Sequence, residues 1–429
     1  MIATPTTKRY RNCREATLPR SISMGRKIII VGAGPAGIAL AYLLATRGIA
    51  VTLIEQEVQF DRVFRGEGLM PAGVQALIDM GLGDCLSQIP HRPLDAWDFV
   101  IDGQRRMRVV EPWPPNGSPP THIIHQSALL AAIAERTQPL GNFQFYPGWQ
   151  VQTLLRQANR IIGVTASHNG QTREFSGDLV IAADGRYSRL RQLAGLPLQP
   201  AETQFDVLWF KLPAPAEMLC ETVFTVCLQR QRQFAFYPSW DERLQIGWIV
   251  EKGAGKRQRD RDWIAEFVPA LPPKLAAHFD QHRSELVGPI FLDVIVGCAP
   301  LWSAPGLLLM GDAAHPMAPN RAQGINMAFR DAIAIANHLV PWCQQGGHTD
   351  TLTECLTAIQ TERQPEITTV QQLQLEEWEK IALITASPLT YQPFKGLATA
   401  LGRLGITQAA WLYQQRYLRY GSTPVLLKV

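Results

Sequence analysis

The stretch Lys27-Ile-Ile-Ile-Val-Gly-Ala-Gly-Pro-Ala-Gly37 decides the fold of this chain. Its β-branched apolar run, Ile28–Val31, is typical of a buried parallel strand. Residues 38–47 then predict a compact helix, and Ala50–Ile54 predicts a second buried strand that leads into Glu55. The pattern therefore predicts a βαβ unit whose turn carries the spacing G-x-G-x-x-G.

The glycine turn has the chemistry of a diphosphate site. Gly32 permits a tight turn, Gly34 lets the backbone approach a pyrophosphate, and Gly37 allows the helix to pack closely on the strand. The free amides and the dipole of the helix start favour phosphate. Glu55 can accept hydrogen bonds from an adenosine ribose, which disfavours a 2′-phosphate. We therefore predict a dinucleotide site formed by Gly32, Gly34, Pro35, Ala36, Gly37 and Glu55. FAD and NAD share the half of the molecule that this motif binds, so the motif alone does not separate them.

Two further motifs follow buried strands. The run Asp178–Ala183 leads into the turn Asp184-Gly185 and then into a helix. The run Gly306–Met310 leads into the turn Gly311-Asp312. The chain then passes through Pro319 and Gln323-Gly324-Ile325-Asn326 into a helix predicted over Met327–Leu339. An aspartate at the carboxyl end of a strand can accept hydrogen bonds from polyol hydroxyls, and amides at a helix start can donate to ligand oxygens.

With these three blocks, the sequence resembles the p-hydroxybenzoate hydroxylase-type, single-component (group A) FAD-dependent monooxygenases over about residues 27–345. The resemblance implies a tightly and non-covalently held FAD. It places Asp184 and Gly185 near the FAD pyrophosphate and the nicotinamide cofactor, and Asp312 on the ribityl chain. It also places Pro319 beside the flavin, where the amides of Gly324, Ile325 and Asn326 can donate to the pyrimidine oxygens.

Two more positions match that family, and two depart from it. The resemblance implies that Arg65 contacts the phosphate side of FAD and that Gln126, at the start of a helix, binds FAD oxygens. The family usually has glycine where this chain has Ala182 and Ala322. Because alanine does not readily adopt positive φ, we expect the loop at Ala322 to differ from the family's loop.

The segment between the second and third motifs has the periodicity of β-hairpins. We predict strands over the ranges Phe205–Leu212, Thr222–Gln229, Gln233–Tyr237 and Leu244–Val250, joined by Trp97–Ile101 and Arg106–Val110. The resemblance implies that this sheet covers the flavin and lines the substrate cavity. Its aromatic residues form either the cavity wall or the sheet's core, and they are Trp209, Phe210, Phe236, Tyr237 and Trp248.

No conventional catalytic triad is expected, because the cofactor carries the difficult chemistry. We name no acid or base. The candidates near the reaction are Pro319, Arg321 and Tyr237. We expect His122 and His125 to be a strand-end pair and predict no metal site.

The predicted fold class is α/β, with a Rossmann-like FAD-binding domain, an inserted and mostly antiparallel substrate sheet, and a helical C-terminal region. We assign residues 1–25 to a disordered leader. The FAD-binding domain takes 26–95, 120–195 and 290–345, the substrate domain takes 96–119 and 196–289, and the C-terminal region takes 346–429. Within that region we expect the long helix to be interrupted at Pro365.

Charge and composition exclude several classes of protein. The formal net charge is +4, but residues 1–27 hold seven basic residues and one acid, and residues 380–429 hold six basic residues and no acid. The body between them is therefore acidic, which does not favour nucleic-acid binding. The seven scattered cysteines indicate a reducing, cytoplasmic setting. The basic, aromatic C-terminal segment either packs on the chain or a second subunit, or lies on a membrane, and we favour packing in a monomer or homodimer.

The sequence thus predicts an FAD-dependent monooxygenase that uses NADH or NADPH transiently. With O2 it would hydroxylate or epoxidise a small aromatic or polycyclic molecule, through the flavin C4a-hydroperoxide that the resemblance implies. Two alternatives stay open at this point. One is a flavin oxidoreductase without oxygen insertion, such as a prenyl-chain reductase. The other is a flavoprotein that binds and shields a metabolite without turning it over.

Overall fold

The computed structural model describes residues 25–60, 66–112, 119–230, 232–255, 261–404 and 407–429. The predicted leader, apart from residue 25, and Arg65 lie outside the described residues. The strands are β1 (Lys27–Val31), β2 (Ala50–Glu55), β3 (Gly68–Leu69), β4 (His91–Pro93), β5 (Ala96–Ile101), β6 (Gln104–Val110), β7 (His122–Ile124), β8 (Phe143–Pro147), β9 (Gln150–Gln157), β10 (Arg160–His168), β11 (Gln171–Ser176), β12 (Leu179–Ala182), β13 (Gln199–Pro200), β14 (Phe205–Pro213), β15 (Val223–Gln229), β16 (Arg232–Pro238), β17 (Arg243–Glu251), β18 (Val287–Leu292), β19 (Gly297–Cys298), β20 (Ser303–Ala304) and β21 (Leu307–Leu309).

The helices are distributed between the two large sheets and the end of the chain. They are α1 (Pro35–Ala45), α2 (Pro71–Asp79), α3 (Gly83–Ser87), α4 (Gln126–Thr137), α5 (Arg189–Leu193), α6 (Ala216–Cys220), α7 (Trp263–Phe267), α8 (Pro273–Gln281), α9 (Gln323–Gln344), α10 (Thr349–Thr385), α11 (Pro388–Leu404), α12 (Thr407–Gln414) and α13 (Arg416–Tyr420).

The first motif forms the centre of a six-stranded sheet with the order β20-β21-β12-β1-β2-β8. Strand β1 pairs in parallel with β2 and with β12, so the Asp184 turn leaves the same edge as the glycine turn. At Gly32 the backbone has φ +103°, and a Cβ there would lie 2.3 Å from the carbonyl oxygen of Ala183. Only glycine fits this close approach, which brings the first two motifs together.

The predicted hairpin strands form a seven-stranded sheet with the order β18-β14-β17-β16-β15-β5-β6. Its neighbouring strands are antiparallel except for β15 and β5, which are parallel. One face packs on α7 and α8 through a core that includes Phe267 and Phe279. The predicted α/β class, with an inserted, mostly antiparallel sheet and a helical C-terminal region, is therefore confirmed. The domain boundaries remain a prediction, and the one at 289/290 falls inside β18.

The C-terminal helices pack on the rest of the chain. The expected interruption at Pro365 is wrong, because α10 continues through this proline from Thr349 to Thr385. The helix continues because of tertiary contacts: Arg363 and Glu366, on either side of the proline, form buried ion pairs with α9. These pairs fix both halves of α10 against α9 and offset the backbone hydrogen bond that proline removes.

A buried ionic network joins α9, α10 and the turn after β21. Asp331 of α9 accepts hydrogen bonds from Arg363 Nε at 2.8 Å and from the Gly311 amide at 3.2 Å, and its Oδ2 lies 2.7 Å from His315 Nε2. Arg363 also contacts Glu366, which pairs with Arg330 Nη2 at 2.8 Å. Burial alone would raise the pKa of Asp331, but His315 and Arg363 more than offset it and lower the pKa to about 2.

The end of the chain is held by a second buried ion pair, between Arg419 of α13 and Glu111 at 2.7 Å. Val425 is buried in the main core beyond it. In the part of the chain that the structure describes, no helix is both long enough and apolar enough to cross a membrane.

The buried network predicts a large loss of stability when its central cation is removed. Arg363→Met keeps much of the side-chain volume but leaves the carboxylates of Asp331 and Glu366 without their shared partner. We expect the free energy of unfolding to fall by about 3–5 kcal/mol in a denaturant titration. Arg283→Met removes an exposed ion-pair partner and is the matched control, which should leave the unfolding midpoint unchanged. Equal behaviour of the two variants would contradict this account of the network.

Candidate functional site

A single cavity of about 1580 Å³ connects the glycine turn to the seven-stranded sheet and to the C-terminal helices. Its first part lies along the carboxyl ends of β1, β2 and β12, where an open α/β sheet commonly binds ligands. Its second part lies between the open face of the antiparallel sheet and α10, α11 and α12. The predicted cofactor and substrate regions thus open into one another.

The glycine turn presents open backbone to the cavity. Helix α1 begins at Pro35 after Gly34, with no side chain capping its free amides. A Cβ built on Gly34 would meet nothing within 4 Å, so the space beside this backbone is open. Glu55 lines the same region and accepts a hydrogen bond from the Ala33 amide at 2.7 Å. This carboxylate therefore also fixes the turn.

The second motif supports the turn mainly through local bonds. Asp184 accepts hydrogen bonds from Ser188 Oγ at 2.6 Å and from the Leu190 amide at 3.1 Å, which holds the start of α5. Burial raises the pKa of Asp184 against the opposing effect of these bonds. Gly185 has φ +83° and lines the cavity beside Asp184.

The third motif lies between the two parts of the cavity. Asp312 has a side chain 33% exposed, and its Oδ2 lies 3.9 Å from Arg186 Nη2. Its Oδ1 lies 3.8 Å from a Cβ built on Gly324 in the first turn of α9. No side chain caps the start of α9, so the amides of residues 323–325 are available at the cavity wall. Pro319 lines the cavity just before this turn.

The side chain of Asn326 is hydrogen-bonded inside the protein, and a contact of its backbone amide with FAD stays a prediction. Its Oδ1 accepts a hydrogen bond from the Met70 amide at 2.9 Å, and its Nδ2 donates to the carbonyl oxygen of Ala322. The side chain is fully buried and joins α9 to the segment before α2. Asn326 therefore shapes the loop around the site from within the protein.

The loop before α9 adopts positive φ in spite of its alanine. Ala322 has φ +50° and Arg321 has φ +60°, so the expectation that Ala322 resists this conformation is wrong. The surrounding contacts hold the loop. Arg321 forms an ion pair with Glu377 of α10, and its guanidinium lies 5.2 Å from the ring centre of Trp97 and 5.1 Å from that of Trp411. Such strain persists where neighbouring structure fixes the backbone, which is common at functional sites.

The alternation of the strands divides the five predicted aromatic residues between two faces. Trp209 and Tyr237 line the cavity. Phe210, Phe236 and Trp248 belong to the core against α7 and α8, so for these three the second alternative holds. The sequence showed alternation but not which face of the sheet was covered.

Sequence reasoning missed several aromatic residues of the cavity. Trp97 lies with its ring centre 4.8 Å from that of Phe224 and 5.4 Å from that of Trp411, and Phe224 stacks on Tyr237 at 5.2 Å. These residues come from strands and a helix far apart in sequence, so no local pattern joins them. Gln126 lines the cavity at the first position of α4, as expected for a ligand contact.

The two histidines considered as a pair have separate partners. The Nδ1 atom of His122 lies 2.9 Å from the carbonyl oxygen of Pro120, and the ring of His125 stacks on Trp240 at 3.6 Å. Among the described residues, no group of three or more His, Cys, Asp or Glu side chains is arranged to hold a metal ion.

The donors and acceptors of the cavity fit FAD. The open backbone at Gly34, followed by free helix amides, suits a diphosphate, and Glu55 lies where an adenosine ribose would be recognised. Asp312 offers an acceptor for a polyol, and residues 323–325 offer donors for the oxygens of a flavin ring. The part of the cavity that aromatic residues line lies beyond these donors and acceptors.

The sequence and the fold match those of known proteins. Residues 26–372 match the family model described as FAD binding domain. The chain is 33% identical over 351 residues to a 6-methylpretetramide 4-monooxygenase of Streptomyces rimosus, covering 79% of this chain and 80% of that one. It is 26% identical over 401 residues to a kynurenine 3-monooxygenase of Stenotrophomonas maltophilia, covering 85% and 81%. The fold matches the p-nitrophenol 4-monooxygenase of Pseudomonas putida with a TM-score of 0.73 at 17% identity, covering 93% and 100%.

The open space beside Gly34 predicts a selective loss of FAD binding in Gly34→Val. The backbone at this position has φ −67°, which valine adopts without strain, and its Cβ meets no neighbour, so the apoprotein should fold. The branched side chain would occupy the space proposed for the diphosphate. We expect the dissociation constant for FAD, measured by flavin fluorescence quenching, to rise at least about tenfold, or ~1.4 kcal/mol. Gly141→Val, at another position with open space around its Cβ, is the control and should bind FAD normally.

Proposed function

Because the chain belongs to the p-hydroxybenzoate hydroxylase-type (group A) family of FAD-dependent monooxygenases, we propose that it inserts one oxygen atom of O2 into an aromatic or polycyclic molecule, by hydroxylation or epoxidation, with NADH or NADPH as reductant. The resemblance seen in the sequence is confirmed by the family match, and the chain is an oxidoreductase. The finer statements about substrate and reductant are proposals and rest on the following observations.

The continuity of the cavity carries the proposal. One space of about 1580 Å³ extends from the glycine turn, past the start of α9, to the aromatic face of the antiparallel sheet. A substrate against that face would lie next to the part of the cavity that suits a flavin ring. When bound, FAD supplies the electron transfer and oxygen transfer that no protein side chain provides.

The chain's own residues bind the reactants and keep the site dry. The first amides of α1 and α9 and the acceptors Glu55 and Asp312 hold the cofactor. The walls formed by Trp209, Phe224 and Tyr237 exclude water from the space beyond it. Arg321 is paired with Glu377, so we propose that it positions the loop that bears Pro319 rather than carrying a free charge to the substrate.

The lining of the second part favours a planar, apolar substrate. Trp97, Trp411 and Phe224 contribute apolar aromatic surface to this part, and Ile381 and Ile384 of α10 extend the apolar wall. The similarity to a 6-methylpretetramide 4-monooxygenase and a kynurenine 3-monooxygenase supports an aromatic or polycyclic substrate. Tyr237 is a candidate for contact with a substrate hydroxyl, although burial raises its pKa well above the usual value and keeps the phenol protonated.

The reductant has no glycine-turn motif of its own in the sequence. We propose that NADH or NADPH binds transiently near the Asp184–Gly185 turn, which lines the cavity beside the exposed Tyr187. We also propose a cytoplasmic location. The six described cysteines are free, which is typical of a reducing compartment.

The test is an oxygen-dependent turnover assay on the FAD-loaded protein. NADH or NADPH consumption is followed with a panel of phenols, anthranilate-type compounds and polycyclic aromatics, in air and without air. We expect consumption that is stimulated by one substrate class and requires oxygen, with a product heavier by one oxygen atom in mass spectrometry. A product formed equally well without air would show reduction or dehydrogenation instead and would contradict the proposal.

A further inference from the structure

A cluster of two carboxylates and one lysine reaches the wall of the cavity through one of its members, Glu67. Glu67 lines the cavity and is 5% exposed. Its Oε2 accepts a hydrogen bond from Ser239 Oγ at 2.8 Å, and its Oε1 lies 3.6 Å from Lys211 Nζ. Lys211 Nζ also contacts Asp241 Oδ2 at 2.6 Å.

This cluster has one positive charge for two carboxylates. If both carboxyl groups were ionised, a net negative charge would remain in a site where Lys211 is 11% exposed and Glu67 6% exposed at the side chain. Because desolvation penalises the charged form, this arrangement favours a proton on the more buried carboxyl group. That group is Glu67, since the Asp241 side chain is 23% exposed.

Among the residues that the structure describes, the other charged and titratable groups around Glu67 agree with this assignment. They are Lys211 of β14, Tyr237 of β16, Asp241 in the following turn, and Arg92 of β4, whose Nε donates to the carbonyl oxygen of Ser239. Burial, and then the negative charge of Asp241, raise the pKa of Glu67 to about 7 against the opposing effect of Lys211 and Ser239.

The position of Glu67 places it between the cofactor and the substrate regions. The next residue, Gly68, packs so closely on the loop before α9 that a Cβ there would lie 2.7 Å from Ala322 Cβ. On its other side, Glu67 reaches Ser239 at the end of β16, just beyond Tyr237 in the substrate wall. The cluster continues outward to the partly exposed Asp241, whose Oδ1 has no hydrogen-bond partner among the described residues.

The proposed reaction requires a proton at the oxygen atom that does not enter the substrate. When one oxygen atom of O2 enters the substrate, the other leaves as water. The reductant supplies a hydride, and one further proton must come from solvent to complete that water molecule. The cavity walls that keep the site dry also restrict the entry of this proton.

We propose that Glu67 is the proton-transfer residue that delivers this solvent proton into the cavity. The O–H bond of the Glu67 carboxyl group breaks, and its proton goes to the oxygen atom that leaves as water. Lys211 and Ser239 hold the resulting carboxylate, and solvent then returns a proton to Glu67. This inference rests on the proposed monooxygenase reaction, but the protonation of Glu67 can be measured without turnover.

The first test is infrared spectroscopy of the FAD-loaded protein titrated from about pH 5 to about pH 9. Wild-type protein should lose a carbonyl stretch of a protonated carboxylic acid with a midpoint of about 7. Glu67→Gln should lack this band. Glu266→Gln removes a half-buried carboxylate that pairs with Arg261 away from the cavity, and this control should retain the band. Asp241→Asn should lower the midpoint, since it removes a neighbouring negative charge. Wild-type protein without a titrating band, or a band that persists in Glu67→Gln, would overturn the assignment whatever the substrate proves to be.

The second test uses the substrate that the turnover assay identifies. Glu67→Gln should lower kcat by about 100-fold, with KM and FAD binding within about twofold of wild type. Wild-type kcat should fall as the pH rises through 7, because Glu67 then loses its proton, and this decline should be absent in Glu67→Gln. Asp241→Asn should move this decline in kcat to lower pH, because it removes the negative charge that raises the pKa of Glu67. Wild-type kcat and pH dependence in both variants would overturn the proposal while leaving the monooxygenase assignment intact.

Discussion

The buried carboxylate of Asp331 is the constraint on which the arrangement of the site depends. It contacts the amide of Gly311 and the ring of His315 on one side and Arg363 of α10 on the other. It thereby fixes the start of the Gly311-Asp312 turn, the direction of α9 and the docking of α10. Since α9 supplies the amides at the flavin end and α10 supplies part of the substrate wall, one ionic network sets the distance between the two halves of the cavity.

The elements that could be predicted from the sequence are those specified locally. The strand, turn and helix around Gly32–Gly37 follow from the apolar run and from glycine chemistry, and the antiparallel strands follow from alternation at nearly the bounds observed. The motifs at Asp184 and Asp312 could also be recognised locally. In each of them a buried strand runs directly into a turn of glycine and aspartate, so adjacent residues are sufficient for the prediction.

The features that escaped prediction depend on contacts between distant parts of the chain. Pro365 remains within a helix because buried ion pairs flank it, and Ala322 adopts positive φ because Arg321 is held between α10 and two tryptophans. Neither contact has a local pattern. Glu67 lies two residues after Arg65 in the sequence. The cluster that it forms with Lys211 and Asp241 could not be predicted, because these residues lie more than a hundred positions away.

In the proposed complex one cavity holds FAD and the substrate together, with the flavin ring at the start of α9. A crystal structure of the FAD-loaded chain would show this arrangement. We expect the diphosphate on the backbone at Gly34–Ala36 and the ring beside residues 323–325, with Trp209 and Tyr237 facing the space next to the ring. A diphosphate bound elsewhere, or a flavin ring separated from the aromatic sheet by a closed wall, would contradict it.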